Sequence, residues 1–313
     1  MIQVAFEMNK ADVGLGCIVA TLWGLNFIAI ELGIENVPPL MLVAMRFFVV
    51  AFPAIFFLKR PPVEWKWLIA LALTLNVLQF ALLFVGMKLG MPAGMASLVH
   101  QSQAFFTLIF AVLIISERFR WFHLTGLIIA AAGMAVIGSE QGGTMTAIGF
   151  WVTLAASASW GLGNVLMRRA TFGVPRFSML SLVVWSYGIS LLPMVVISLS
   201  IEGTAAWQAA FSNFNFTSIG SVIYLSYFSS LGGYGLWGLL LLSRYPANIV
   251  SPFALLVPIV GITGAALILG EMFTLLQLAG SILVMAGLTL NIFGGRLTGH
   301  KQPDPKTLPI KPA

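Results

Sequence analysis

The chain has 313 residues, 59% of them apolar and 8% charged, with a formal net charge of +6. A soluble domain carries about a quarter charged residues, and no single core hides this much apolar surface, so a soluble enzyme or regulator is excluded and lipid must be the main solvent. Nucleic acid is not the partner of the positive charge, because the basic residues lie between apolar runs rather than in one patch.

Ten apolar runs follow one another, over about 13–33, 39–58, 67–87, 91–115, 122–138, 147–168, 177–199, 217–243, 247–269 and 275–294. Each is near the ~20 residues that a helix needs to cross a hydrocarbon core of about 30 Å; the fifth is the shortest. None shows the alternation of a transmembrane β-strand. The expected fold is an all-α integral membrane protein of ten transmembrane helices. Met8 is an alternative start to Met1, since residues 1–7 add nothing to the first span, and no basic segment with a cleavage site marks that span for removal. Cys17 is the one cysteine, which excludes an intramolecular disulfide. Gly14-Leu15-Gly16-Cys17 imitates a lipidation site, but the apolar run follows the cysteine instead of preceding it.

The charges set the orientation. Lys10, Lys59, Arg60, Lys66, Arg118, Arg120, Arg168, Arg169, Arg176, Arg244, Arg296, Lys301, Lys306 and Lys311 fall on one side, which makes 14 of the 16 basic residues. The other side holds Lys88 with Glu31, Glu35, Glu140, Glu202 and Glu271. The positive-inside rule places both termini in the cytoplasm. The tail 299–313, rich in proline and lysine, reads as disordered.

The chain also repeats itself. Pro92-Ala93 returns as Pro246-Ala247, Ser97 as Ser251, Glu117 as Glu271, Gly126 as Gly280 and Gly133 as Gly287, all at an offset of 154 residues. Trp23-Gly24 returns as Trp160-Gly161 at 137, the difference being insertions that include the loop 201–216. Residues 1–141 form the first repeat, spans 1–5, and residues 142–298 the second, spans 6–10. Five is odd, so the two halves enter the membrane from opposite sides and the repeat is inverted. Gly126/Gly133 and Gly280/Gly287 predict close packing of spans 5 and 10, within one chain or, alternatively, in a homodimer. Gly232-Gly233, Gly235, Pro252 and Pro258 interrupt spans 8 and 9 and mark them as cavity walls.

Polar side chains in mid-membrane should face the bundle interior, and here they share helical faces. Trp23 and Asn26 do so on span 1, Asn76 and Gln79 on span 3, His100 and Gln103 on span 4, Trp160 and Asn164 on span 6. Tyr224, Tyr227, Tyr234 and Trp237 form a stripe on span 8. Together with span 9 they predict one wet, aromatic-walled cavity for a small polar metabolite. His100 is the candidate for a proton-linked step; the plainer reading is a neutral histidine satisfied by Gln101, Gln103 or another helix. Arg46 is expected to snorkel outward and pair with Glu31 or Glu35 as a gate, a substrate carboxylate being the sharper alternative. Glu117 and Glu271 are read as turn residues where the next helix begins.

Walker, nucleotide-binding, His-Glu-x-x-His and Gly-x-Ser-x-Gly motifs are absent. The expectation is no enzyme, no cofactor and no metal, with a small metabolite, lipid and protons as partners. An intramembrane enzyme would need a second embedded acid or nucleophile, and a sensor or channel would not need the repeat.

Several segments carry a family likeness: Trp23-Gly24-Leu25-Asn26-Phe27, Arg46-Phe47, Met91-Pro92-Ala93-Gly94-Met95-Ala96-Ser97-Leu98, Gln103-Ala104-Phe105-Phe106-Thr107 and Glu117-Arg118. The second half adds Trp160-Gly161, Gly233-Tyr234-Gly235, Trp237-Gly238, Leu255-Leu256-Val257-Pro258 and Gly270-Glu271. From about Asp12 to Phe293 the chain resembles the EamA family of the drug/metabolite transporter superfamily. The resemblance implies an inner-membrane exporter of small amino-acid metabolites such as O-acetylserine and cysteine, working by alternating access. Other neutral or aromatic amino acids are the alternative cargo. Glu31 and His100 differ from the usual occupants of those places.

Overall fold

The computed structural model describes residues 8–116, 121–140, 145–175, 177–238, 240, 245 and 247–297, and among these all regular structure is helical. Helix α1, Lys10–Ile34, starts where the Asn9 side chain accepts a hydrogen bond from the Asp12 amide at 2.8 Å, satisfying one orphan donor of the first turn. Helix α2, Pro39–Ala51, is shorter than its apolar run. Pro53 lies just past its end, where proline cannot donate the next helical bond, and a single 3-10 turn, Ala54–Phe56, follows. Then come α3 (Trp65–Lys88), α4 (Ala93–Ile115), α5 (Trp121–Gly138), α6 (Ala147–Ala170) and α7 (Met179–Ile201). Helix α8 runs in three pieces, Phe216–Ile223, Tyr224–Gly232 and Gly233–Gly238. Helices α9 (Ser251–Leu269) and α10 (Leu275–Leu297) complete the bundle. The expected loop 201–216 holds a short helix, Gly203–Ser212.

Eight of these helices, α2 being counted together with the 3-10 turn that extends it to Phe56, are long and apolar enough to cross a membrane. The expectation of ten exceeds that number by α6 and α8, and the reason is composition. Ser157, Ser159, Asn164, Arg168 and Arg169 dilute α6, and Tyr224, Ser226, Tyr227, Ser229 and Ser230 dilute α8. Much of that polarity is sheltered by protein, with Ser157, Ser226 and Ser230 fully buried. The repeat boundary near 141–142, the tail from 299, Glu117 and Pro246 lie outside the described residues.

The two halves depart from regular helix at two pairs of matching places, while a further π-helical stretch, Ala265–Leu269 in α9, has no counterpart in α4. A π-helical stretch spans Ala72–Leu78 in α3 and Tyr224–Gly232 in α8. A 3-10 stretch spans His100–Ser102 in α4 and Ser251–Leu255 in α9. Ser116 ends α4 with φ 53° and Gly270 ends α9 with φ 69°, again at the 154-residue offset. Exchanging the halves also preserves the packing. Helix α1 lies on α8 and α9 as α6 lies on α3 and α4, and α2 meets α7 as α5 meets α10.

The α5–α10 contact is backbone against backbone. A Cβ placed on Gly133 would sit 2.7 Å from the Gly280 carbonyl oxygen, and one on Gly126 would sit 2.8 Å from that of Gly287. The expected glycine face is therefore a contact inside one chain. In lipid no hydrophobic force drives helices together, so such close approach supplies the van der Waals contact instead.

Candidate functional site

The remaining helices enclose a cavity of about 420 Å³. From α1 it is lined by Trp23, Asn26 and Phe27; from α3 by Asn76 and Gln79; from α4 by His100, Gln101 and Gln103. Trp160 and Asn164 of α6 and Tyr234 and Trp237 of α8 also face it, with Ser251, Ala254 and Val257 of α9. Ten of the eleven residues expected in a cavity are thus brought together. Tyr227 is not: it is about half exposed, outside the lining, because the π-helical stretch rotates it away from Tyr234.

Two helices were not expected there. Arg46 brings in α2, and Ser186 and Tyr187 bring in α7. Ser186 and Ser190, four apart, share a face of α7, and that spacing was the available signal. The serines of α8 form a similar row: Ser229 lines the cavity and Ser230 meets Arg46 behind it.

Most polar walls are tied into pairs across helices. Asn164 Nδ2 donates to Gln103 Oε1 at 2.8 Å and to Thr107 Oγ1 at 3.2 Å, joining α6 to α4. Asn76 Nδ2 donates to Ser190 Oγ at 3.1 Å, joining α3 to α7. Asn26 Oδ1 accepts from Ser229 Oγ at 2.8 Å, while Trp23 Nε1 donates to the Ser229 carbonyl at 3.1 Å. Trp23 stacks obliquely on Tyr234 and Trp237, with ring centroids 5.4 and 5.2 Å apart. His100 is held at both ring nitrogens, Nε2 by Gln79 Nε2 at 3.2 Å and Nδ1 by Ser157 Oγ at 3.3 Å, with Trp160 at a centroid distance of 4.8 Å. A neutral tautomer with its proton on Nδ1 satisfies both contacts. Its partners come from other helices, not from Gln101 or Gln103.

The gate pair expected of Arg46 and Glu31 is not formed. Arg46 turns inward, donating through Nε to Ser230 Oγ at 3.0 Å and lying over the Phe80 ring at 4.3 Å. Its stem does not need to snorkel, because the cavity supplies a polar surface at depth.

The cavity occupies one half of the bundle. It reaches Met179, the first residue of α7, and Met167 near the end of α6. At the opposite end carboxylates tie the halves. Glu271 accepts from the amides of Ala93 and Gly94 at 2.7 and 3.0 Å, and Glu202 from those of Leu40 and Met41 at 2.7 and 3.0 Å. Both carboxylates come from the second half and sit on helix N-termini of the first, where the dipole favours negative charge. Glu271 was expected to serve the helix that follows it; it serves α4 instead. Burial raises its carboxyl above the ordinary value of 4.5, and the two amide bonds oppose that rise. Lys88 closes the same end by donating to the Ile34 carbonyl at 2.6 Å. Among the described residues no cluster of His, Cys, Asp and Glu can hold a metal ion.

Two like helical halves closing on an aromatic and apolar cavity that holds a few polar side chains form the architecture of a membrane transporter. The chain belongs to the EamA-like transporter family, whose pattern it matches twice, over residues 12–139 and 147–293. It is 44% identical over 292 residues to the "Probable amino-acid metabolite efflux pump" of Salmonella typhimurium (strain LT2), covering 93% of this chain and 97% of that protein. The Escherichia coli K12 protein of the same description is 43% identical over 291 residues, covering 92% and 97%. A solved crystal structure superposes with a TM-score of 0.60 at 19% identity, covering 94% of this chain and all of that one, a likeness of fold alone.

Proposed function

We propose that this protein exports small amino-acid metabolites, O-acetylserine and cysteine among them, from the cytoplasm across the inner membrane. Ten helices in two inverted halves rock about the central cavity and expose it to each side in turn. In this reading both termini lie in the cytoplasm, which the distribution of basic residues supports. The observation that carries the reading is the cavity itself: it lies between repeat-related helices, and amides, hydroxyls and indoles are set among its apolar side chains, with a single formal charge among the described lining residues. Such walls hold a polar solute by hydrogen bonds that can be exchanged, which a carrier needs for release. The two efflux-pump relatives support the cargo class. The cavity reaches the end of the bundle that this reading makes cytoplasmic, which is the loading side for an exporter. His100, engaged at both nitrogens, serves as a fixed polar wall here rather than as a proton carrier.

A volume near 420 Å³ with Trp23, Trp160, Tyr234 and Trp237 in its wall also supports neutral aromatic amino acids as cargo. One panel tests both. Cells overproducing the protein are expected to accumulate O-acetylserine and cysteine in the medium several-fold over cells carrying an empty vector. A rise confined to aromatic amino acids favours the second reading. No change in any amino-acid metabolite contradicts both.

A further inference from the structure

The geometry points to a carboxylate-binding subsite built around Arg46, which makes the shared α-amino carboxylate of the cargo, rather than its side chain, the group that the cavity recognises. Among the described lining residues Arg46 is the one formally charged side chain. It is only 2% exposed, and its Nη1 is buried with no hydrogen-bond partner among the described residues. Among those residues no carboxylate lies within 4.0 Å of the guanidinium. A guanidinium does not shed its proton in a protein, and a buried charge without a partner is costly.

The surroundings supply donors and rings but no anion. Ser230 Oγ gives its proton to the Leu225 carbonyl at 2.8 Å, so toward Arg46 it acts only as an acceptor for Nε. Tyr187 Oη lies 3.5 Å from the same oxygen. Phe80 covers one face of the guanidinium. What is missing is a planar anion to take the free edge, and a carboxylate fits that edge with two parallel hydrogen bonds. The counterpart ammonium group finds no carboxylate among the described lining residues either. The π faces of the wall's aromatic rings, Trp23, Trp160, Tyr234 and Trp237 among them, are surfaces present for a cation. Arg46 as mere glue between α2 and α8 would leave Nη1 unexplained.

This inference rests on the exporter reading, and its test separates the two. Proteoliposomes holding the full chain take up labelled cysteine by counterflow, in competition with unlabelled cysteine, with cysteinamide or with cysteamine. Cysteine should compete at least about tenfold better than the carboxamide and the amine, the worth of a charge-assisted bond. Arg46→Gln should weaken competition by cysteine about 10- to 100-fold and erase the preference for the carboxylate. Arg46→Lys, which keeps the charge and loses the fork, should keep part of it. The thermal midpoint of Arg46→Gln should hold or rise, since an unpaired buried charge has gone; a fall would mark Arg46 as structural glue and overturn the subsite. Equal competition by cysteinamide in the wild type overturns it too, and that arm decides alone should Arg46→Gln not fold. A wild type with no cysteine flux removes the exporter reading and this inference with it.

Discussion

Helices α5 and α10 and the four helices α3, α4, α8 and α9 solve opposite problems in one bundle. The first pair is regular helix throughout, joined through glycines whose hydrogens face the partner's carbonyl oxygens, and it contributes nothing to the cavity. The four others break into π or 3-10 helix, and they supply Asn76, Gln79, His100, Gln103, Ser229 and Ser251 to the cavity wall. Each arrangement occurs on repeat-related helices. Small residues fix a contact in place, whereas a slipped hydrogen-bond register frees backbone groups and re-aims side chains, which is why such segments gather at functional sites. Stability and cargo handling should therefore separate between the two regions.

The largest effect is expected at the glycine contact. Gly280→Val puts a branched side chain where even a Cβ lies 2.9 Å from the Gly133 carbonyl oxygen. Overpacking of this kind costs about 1–3 kcal/mol. The thermal midpoint in detergent should fall clearly, while flux per folded molecule changes little. An unchanged midpoint would mean that α5 and α10 are not apposed as described.

Asn164→Leu should reverse that pattern. It removes the donor shared by Gln103 and Thr107. Gln103 faces the cavity, where water can replace part of the loss, so stability should shift by no more than about 1 kcal/mol. Transport of cysteine should drop about tenfold or more. Loss of stability without loss of transport would make the amide pair structural.

At the closed end Glu271 gives a pH test. Burial places its folded pKa above the unfolded 4.5 despite two amide bonds. A raised carboxyl contributes stability below the unfolded value and loses it as the pH rises through the folded one. Glu271→Gln carries no charge at any pH, so it should gain in stability relative to the wild type as the pH is raised from about 4 through neutrality. A gap that widens in the wild type's favour would show that the amide bonds outweigh burial. The smallest effect is expected at Tyr227, outside the cavity: Tyr227→Phe should leave flux and thermal midpoint unchanged, and a clear loss of flux would put it on the cargo's path.

Much of this is legible in the sequence. Pairs three or four apart, such as Trp23 with Asn26 and Trp160 with Asn164, placed single polar faces on otherwise apolar helices, and lipid offers such faces no partner. The spacing of Gly126 and Gly133 likewise marked a contact face. What could not be read has physical causes. An α-helical wheel assigns Tyr227 and Tyr234 to one stripe, but a π-helical turn changes the angle per residue and separates them. The sequence sends Arg46 outward because a lone charge is expected to seek water, yet the cavity reaches it. The Glu271 and Glu202 contacts join distant stretches of chain, which no local pattern encodes. Serines count as weakly polar in composition, so Ser186 does not mark α7 as a wall in the sequence.

In the proposed transport cycle the cavity between the halves is an aqueous cargo site that opens to the cytoplasm. Labelling tests it most directly. With Cys17 replaced, a single cysteine is introduced by Asn164→Cys in the cavity, or by Ile128→Cys on the exposed face of α5. Both are probed with a membrane-impermeant thiol reagent in inside-out vesicles. Rapid labelling is expected at 164, slowed several-fold by saturating O-acetylserine, with little labelling at 128 under either condition. Labelling at 164 no faster than at 128, or unaffected by O-acetylserine and by every other amino-acid metabolite tried, would contradict it.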